Sequence, residues 1–335
     1  MRLPPFRPPP SLCATLPRPS QPLAQSVLTT HIKTITTAAM ADSVKRNPHP
    51  DFKAVEASRP DWDAEARVRY TKTADPEWKY GSGVNGLGSA AAASAKHVAI
   101  DPHEAGRLPG FNYKLMISSI VPRPIAFVST RAADGSSTNL APFSYFNMVN
   151  HDPPLFVVGI ASGLDRAKDT LRNIVDTGEC VINIISEPFL EAANAASANA
   201  PYGVSEWKIS GLTPVEDCET VKSARVGEAI MSIEAKLDTV KEYESRAKPG
   251  NKSGTVLILE GTRFWVREDA VNEDKNLVDL EVLRPISRLG GITYGRTTDV
   301  IELPRTDFEK DVGGSEGFQR IQQHAQNGTN SEKRS

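Results

Sequence analysis

The chain has 335 residues, enough for one large domain or two ordinary ones. Hydrophobic residues make up 39% and the mean hydropathy is -0.34, so a core can be buried, yet no apolar run reaches the length of a membrane span. A formal charge of -2 and 7% aromatic residues leave no basic surplus to neutralise phosphates, which excludes nucleic acid as the main partner.

The first 41 residues contain no Asp or Glu and carry Arg2, Arg7, Arg18 and Lys33 among many Ser, Thr and Pro residues. That composition predicts a mitochondrial presequence. The prolines argue the other way, because a presequence must form an amphipathic helix. A disordered leader, or a cytosolic start at Met40, fits equally well, so the location stays open between cytoplasm and mitochondrion. Residues 42–107 read as an irregular arm or linker. They include Gly81-Ser82-Gly83-Val84-Asn85-Gly86, a literal G-x-G-x-x-G. The preceding Asp75–Tyr80 stretch is no buried strand, so the dinucleotide-binding context is missing and a flexible linker is expected.

The texture changes at residue 108. Ile125–Thr130 is a β-branched strand, Asp134-Gly135 a turn, and Leu140–Asn147 a second strand. Leu155–Ile160 is a third. Ala167, Thr170, Leu171, Ile174 and Val175 then recur at helical spacing, with Gly178 as the stop. Val181–Ile185 returns to strand, and Pro188 opens an Ala-rich helix to about Ser197. Met231–Asp238 alternates as a strand with one wet face. A polar loop, 242–253, precedes Val256–Leu259 and Phe264–Val266. Short strands with two interrupting helices predict a mostly β fold, an antiparallel β-barrel with peripheral helices. The tail from about 306 to 335 is charged and poor in apolar residues, and is expected to be disordered.

Two segments carry candidate chemistry. The first helix opens on Lys168-Asp169-Thr170. Its free N–H groups, an ammonium and a hydroxyl can cradle a phosphate, with Asp169 as candidate N-cap. An ordinary capped helix is the alternative. The second is Asn139–Asn147, where Ser144 and Asn147 can bond the polar edge of a heteroaromatic ring and Tyr145 and Phe146 can pack on its face. A plain core strand is the alternative. No hydrolase elbow, zinc-protease, Walker or C-x-x-C motif is present. Cys13, Cys180 and Cys218 match no metal spacing, and Cys180 reads as a small buried hydrophobe. His151 is the sole histidine inside the barrel region. Sparse acid–base groups fit a cofactor that carries the chemistry.

The ordered set Arg123–Thr130, Asn139–Asn147, Asp152-Pro153-Pro154, Lys168–Asn173, Gly178–Asn183, Gly211–Pro214 and Arg288–Gly291 with Tyr294 and Arg296 resembles the flavin reductase-like, FMN-binding split-barrel family, from about 108 to 305. Fungal flavoprotein oxygenase-like members are the most similar. The resemblance implies a Greek-key-type FMN-binding split barrel and a homodimer with FMN near its interface. Ser144, Tyr145, Phe146 and Asn147 would line the ring and ribityl chain, and Lys168, Asp169 and Thr170 would serve the phosphate. Asn194 and Tyr294–Arg296 are placed near the site. The implied reaction passes hydride from NADH or NADPH to flavin N5, then electrons to oxygen, free flavin or a partner. The rival expectation is an FMN-binding electron carrier or store without NAD(P)H activity.

Overall fold

The computed structural model describes residues 48–85, 87–88 and 94–332, with side chains to 324. The leader, the Met40 start and Gly86 of the G-x-G-x-x-G lie outside the described residues.

The arm holds α1 (Phe52–Ala57), capped by Asp51, whose carboxylate accepts from Ala54 N, and β1 (Arg69–Thr71). Next come α2 (Pro109–Ser119), β2 (Ala126–Arg131), β3 (Thr138–Phe143), β4 (Phe146–His151) and β5 (Pro154–Ile160). The segment expected as one strand from Leu140 to Asn147 is therefore two. Tyr145 breaks the run, and its carbonyl accepts from Gly159 N across the corner. Helix α3 (Asp169–Thr177) ends as expected at Gly178, whose φ of 72° is the left-handed conformation a helix stop favours. Then follow β6 (Glu179–Ile184), α4 (Leu190–Ala195), α5 (Glu206–Ser210), β7 (Pro214–Val215), β8 (Arg225–Val226), β9 (Met231–Glu244) and β10 (Lys252–Val266). The chain closes with α6 (Leu280–Leu283), β11 (Ile286–Arg288), β12 (Tyr294–Arg296), β13 (Asp299–Ile301) and α7 (Gly314–Glu332).

Seven strands form one antiparallel sheet in the order β3-β2-β6-β9-β10-β5-β4. Its two edge strands, β3 and β4, are consecutive in sequence and are separated only by Ser144 and Tyr145. A flat sheet of this width would set its edges roughly 29 Å apart, at about 4.8 Å per strand. Two intervening residues span at most roughly 10 Å. The sheet must therefore roll until its edges meet, and the unlaced seam between β3 and β4 splits the barrel. The return from β5 to β6, beside β2, is of Greek-key type.

Strand β2 explains why its sequence is apolar without alternation. Ala126 and Val128 join the cluster inside the barrel with Phe156, Val158, Ile182, Ile233 and Leu257. Phe127 joins an outer cluster with Leu140, Phe189, Trp207 and Val226. Burial on both faces removes the period of two. Leu171 and Ile174 of α3 pack into the inner cluster, as does Cys180, which is wholly buried as the small hydrophobe expected.

Two further readings change. The polar segment 242–253 keeps its loop at 245–251, while β9 and β10 run into its two ends as a two-stranded ribbon. The tail expected to lack order carries α7. Ile321 on that helix lies against Gly81, where a Cβ would come within 2.7 Å of it. The arm, in turn, is tied to the barrel: β1 pairs in parallel with β13, and Trp62 Nε1 donates to Glu187 Oε1 at 2.8 Å.

Candidate functional site

Helix α3 opens without a side-chain cap. Lys168, not Asp169, is the N-cap residue; its backbone is extended, and its carbonyl accepts from Arg172 N at 2.9 Å. Asp169 is instead the first helical residue, because the extended turn falls one position earlier. Lys168 is exposed, Asp169 half-buried, and Thr170 only 2% exposed. The mouth of the helix therefore presents unpaired N–H groups and an ammonium, with the threonine hydroxyl set behind them. On the loop before the helix, Ser162 Oγ is buried without a hydrogen-bond partner, as are Asn173 Oδ1, Ser186 Oγ and Ser223 Oγ.

The Thr170 hydroxyl lies 2.7 Å from the side-chain amide of Asn139, at the start of β3. Asn139 in turn adjoins Glu206 on α5. Glu206 is 6% exposed, and its Oε2 accepts from Leu140 N at 3.3 Å. Burial raises its pKa, and the Asp169 charge raises it further. Asp169 is raised too, by burial, with Arg172 pulling the other way. Two carboxyl groups thus stand beside the place where a phosphate would bind. Residues 139 and 206 are far apart in sequence, and no local pattern announced their meeting.

The other end of β3 leads to the seam. Arg123 is 8% exposed and donates to three carbonyls: Ile117 at 2.7 Å, Ile120 at 2.6 Å and Leu289 at 3.0 Å. Its Nε reaches Ser144 Oγ at 3.5 Å. It forms no ion pair among the described residues, and its positive charge meets three backbone carbonyl dipoles and the Ser144 hydroxyl. Tyr145 is partly exposed. Burial pushes its phenol up, Tyr113 adds to this, and Arg123 opposes it. Gly159 permits this corner, since a Cβ there would sit 3.0 Å from that of Tyr145.

The structure brings together Ser144, Tyr145 and Arg123 at the seam, and Lys168, Asp169 and Thr170 at the helix mouth. Phe146 is half-buried and stacks on Phe156, with ring centroids 6.2 Å apart, so its ring leans into the barrel core. Asn147 is exposed, and its Oδ1 accepts from Met148 N. Tyr294 Oη donates to Asn194 Oδ1 at 2.8 Å, which joins the two outlying segments. A cavity of about 360 Å³ lined by Ser186, Phe189, Ile230, Arg267, Glu281 and Arg284 contains none of the expected site residues.

Both clusters hang on β3. Asn139 near its start touches Thr170, and Ser144 follows its end. That separation is five residues, roughly 16 Å at about 3.3 Å per residue, the scale of an extended flavin mononucleotide. The donor set fits such a ligand: cationic and amide donors at one end, a hydroxyl and a guanidinium at the other. The flanking carboxyl groups are the one feature set against it.

The seam of this split barrel and its helix mouth thus share one strand. Residues 117–281 match the Flavin reductase like domain. An uncharacterized protein of Aquifex aeolicus is 39% identical over 184 residues, 54% of this chain and 88% of that protein. The chain belongs to the flavin reductase-like domain family. Among solved structures, nitrilotriacetate monooxygenase component B from Bacillus cereus is 35% identical with a TM-score of 0.58, covering 63% of this chain and 100% of that one. The Pseudomonas fluorescens 2-nitrobenzoate 2-nitroreductase NbaA is 31% identical with a TM-score of 0.54, covering 64% and 98%.

Proposed function

We propose that the chain is an FMN-dependent oxidoreductase that takes its electrons from NADH or NADPH and delivers them to oxygen, free flavin or a partner protein. The observation that carries this reading is the single strand, β3, linking an uncapped cationic helix mouth to a seam holding a buried, unpaired arginine. When bound, FMN supplies the two-electron redox chemistry that the chain's own side chains lack. Lys168 and the N–H groups opening α3 bind the phosphate. Ser144, Tyr145 and Asn147 orient the ring at the seam, and the backbone of the Phe146 corner shapes its wall. Arg123 holds the Ser144 turn in place and directs positive charge toward the ring. The family's reductase description, and the likeness to a monooxygenase component and a nitroreductase, support a redox role.

A homodimer is part of the same reading. Phe111, Leu115, Met116 and Ile120 of α2 and its C-terminal end, with Met148 and Val149 on β4, leave a large apolar surface exposed beside the seam. Light scattering giving twice the chain mass would support it, and a monomer at micromolar concentration would remove it.

The test of function is spectroscopic. Purified protein, with FMN added, is expected to absorb near 450 nm and to bleach anaerobically with one nicotinamide. Flavin that binds but resists both nicotinamides leaves the alternative, an electron carrier or FMN store. No FMN uptake at all would end the proposal.

A further inference from the structure

Four stretches of the chain, far apart in sequence, meet around the cavity of about 360 Å³: the turn before α4, the entry to β9, the exit from β10, and α6. Backbone bonds hold them there. Glu187 N donates to Arg284 O at 3.0 Å, and Arg267 N to Ile230 O at 2.9 Å. Arg284 turns the chain out of α6 with a φ of 42°, a left-handed conformation that a residue other than glycine adopts only where its surroundings impose it. The space is on the scale of a small-ligand pocket and holds one substituted ring.

The lining decides what kind of ring. Phe189, Ile230 and Val282 supply apolar walls. Two arginines and three carboxylates stand around them, and each has a partner. Arg267 makes a two-pronged pair with Asp269 at 2.5 and 2.8 Å. Arg284 donates from Nε and Nη2 to Glu187 at 3.0 and 2.6 Å, and from Nη1 to Ala66 O of the arm at 3.4 Å. Glu281 accepts from Val68 N of the arm at 2.7 Å, and Glu228 from the Thr213 hydroxyl at 2.9 Å. An anion would meet the surplus carboxylate, and a cation would have to compete for carboxylates that are in use. A neutral ligand disturbs none of these pairs. One polar group is left over. Ser186 is 1% exposed, and its hydroxyl has no hydrogen-bond partner. Of the four side chains orphaned in this way among the described residues, Ser186 is the one that lines this cavity. A buried hydroxyl left unpaired is costly, and a ligand oxygen would satisfy it.

We propose that this cavity binds a small neutral aromatic molecule carrying one carbonyl or hydroxyl, which pairs with Ser186. Binding is non-covalent and no bond changes. The site is separate from the FMN site: no residue of the seam or the helix mouth lines it, so it neither needs FMN nor excludes it.

The test titrates the full chain with benzamide, benzoate and benzylammonium, one ring in three charge states, by ligand-observed NMR. Benzamide is expected to bind with a Kd on the order of 1 mM, the range open to so small a ligand. Each charged ring should bind at least about fivefold more weakly, because its charge finds no free partner. Ser186→Ala should weaken benzamide about three- to tenfold, the worth of one neutral hydrogen bond. Val282→Trp, at a half-buried position, should fill the cavity and abolish binding while keeping the far-UV circular dichroism of wild type. Where that variant fails to fold, Ser186→Ala and the charge series decide alone. Saturating FMN should leave benzamide affinity unchanged. No benzamide binding at about ten times the expected Kd overturns the inference. So does equal or tighter binding of a charged ring, full affinity in Ser186→Ala or in folded Val282→Trp, or displacement of benzamide by FMN. Failure of FMN itself to bind removes the flavin reading and leaves this site standing.

Discussion

Two buried glutamates in this molecule behave in opposite ways. Glu234, on β9, is 0% exposed and accepts from the amides of Glu219, Thr220 and Val221, the Thr220 hydroxyl and Trp265 Nε1. Those donors outweigh its burial and hold its pKa down at about 2. Glu206, at the helix mouth, is nearly as buried but accepts only two long bonds, from Leu140 N at 3.3 Å and from the Asn139 amide at 3.2 Å. Its pKa is raised. Burial alone does not decide the charge of a buried acid; the number of fixed donors does. The barrel wall locks its glutamate as an anion that staples the 219–221 segment. The candidate site leaves its glutamate under-supplied and therefore free to change state.

The largest break in this comparison comes from the locked side. Glu234→Gln puts an NH2 among donors and removes a charge that several groups share. It is expected to destabilise the fold by about 3 kcal/mol, read as a lower urea midpoint with an unchanged slope. The same staple predicts acid sensitivity. A depressed pKa means that stability is present above the ordinary glutamate range and lost as pH falls through about 2. Wild type should therefore lose about 3 kcal/mol between pH 5 and pH 2 through this one group, as an order of magnitude, and Glu234→Gln should show a shallower acid limb. Parallel acid limbs would show that the donors around Glu234 do not hold its charge.

On the site side the expected effects are smaller. Lys168→Ala removes an exposed ammonium that makes no internal ion pair among the described residues, so the fold should not notice. FMN affinity should fall by about 1–2 kcal/mol, with riboflavin affinity unchanged. An equal loss for both ligands would take Lys168 away from the phosphate.

The locked side was also the more legible one in sequence, though not for its glutamate. The strand β9 announced itself because Met231, Ile233, Ala235 and Leu237 alternate with polar residues, and β2 because both of its faces are buried. The start of α3 could be read from local spacing, since helix signals act within a turn or two. What escaped was set by distant contacts. The corner at Ser144 and Tyr145 has no glycine of its own; the glycine that permits it, Gly159, lies on the next strand. Glu206 becomes a site residue only because α5 packs beside Asn139, and Arg123 only because Leu289 supplies a carbonyl from the far end of the domain. The loop at 245–251 was legible from its polar residues, but the strand ends that flank it were not, because a ribbon wet on most of its surface needs no apolar period.

The smallest effect separates the two glutamates most sharply, because its sign reverses. An acid whose pKa is raised on folding adds stability only below its unfolded pKa, and that contribution is lost as pH rises through the folded value. At neutral pH, ionised Glu206 therefore weighs against the folded state. Glu206→Gln should leave stability unchanged near pH 4 and raise it at pH 7–8, within about 1 kcal/mol, as a small upward shift in the thermal midpoint. The two Glu→Gln substitutions would then move neutral-pH stability in opposite directions. A loss of stability at pH 8 in Glu206→Gln would mean that its charge is held by the fold, as that of Glu234 is, and that the helix mouth is as fixed as the barrel wall.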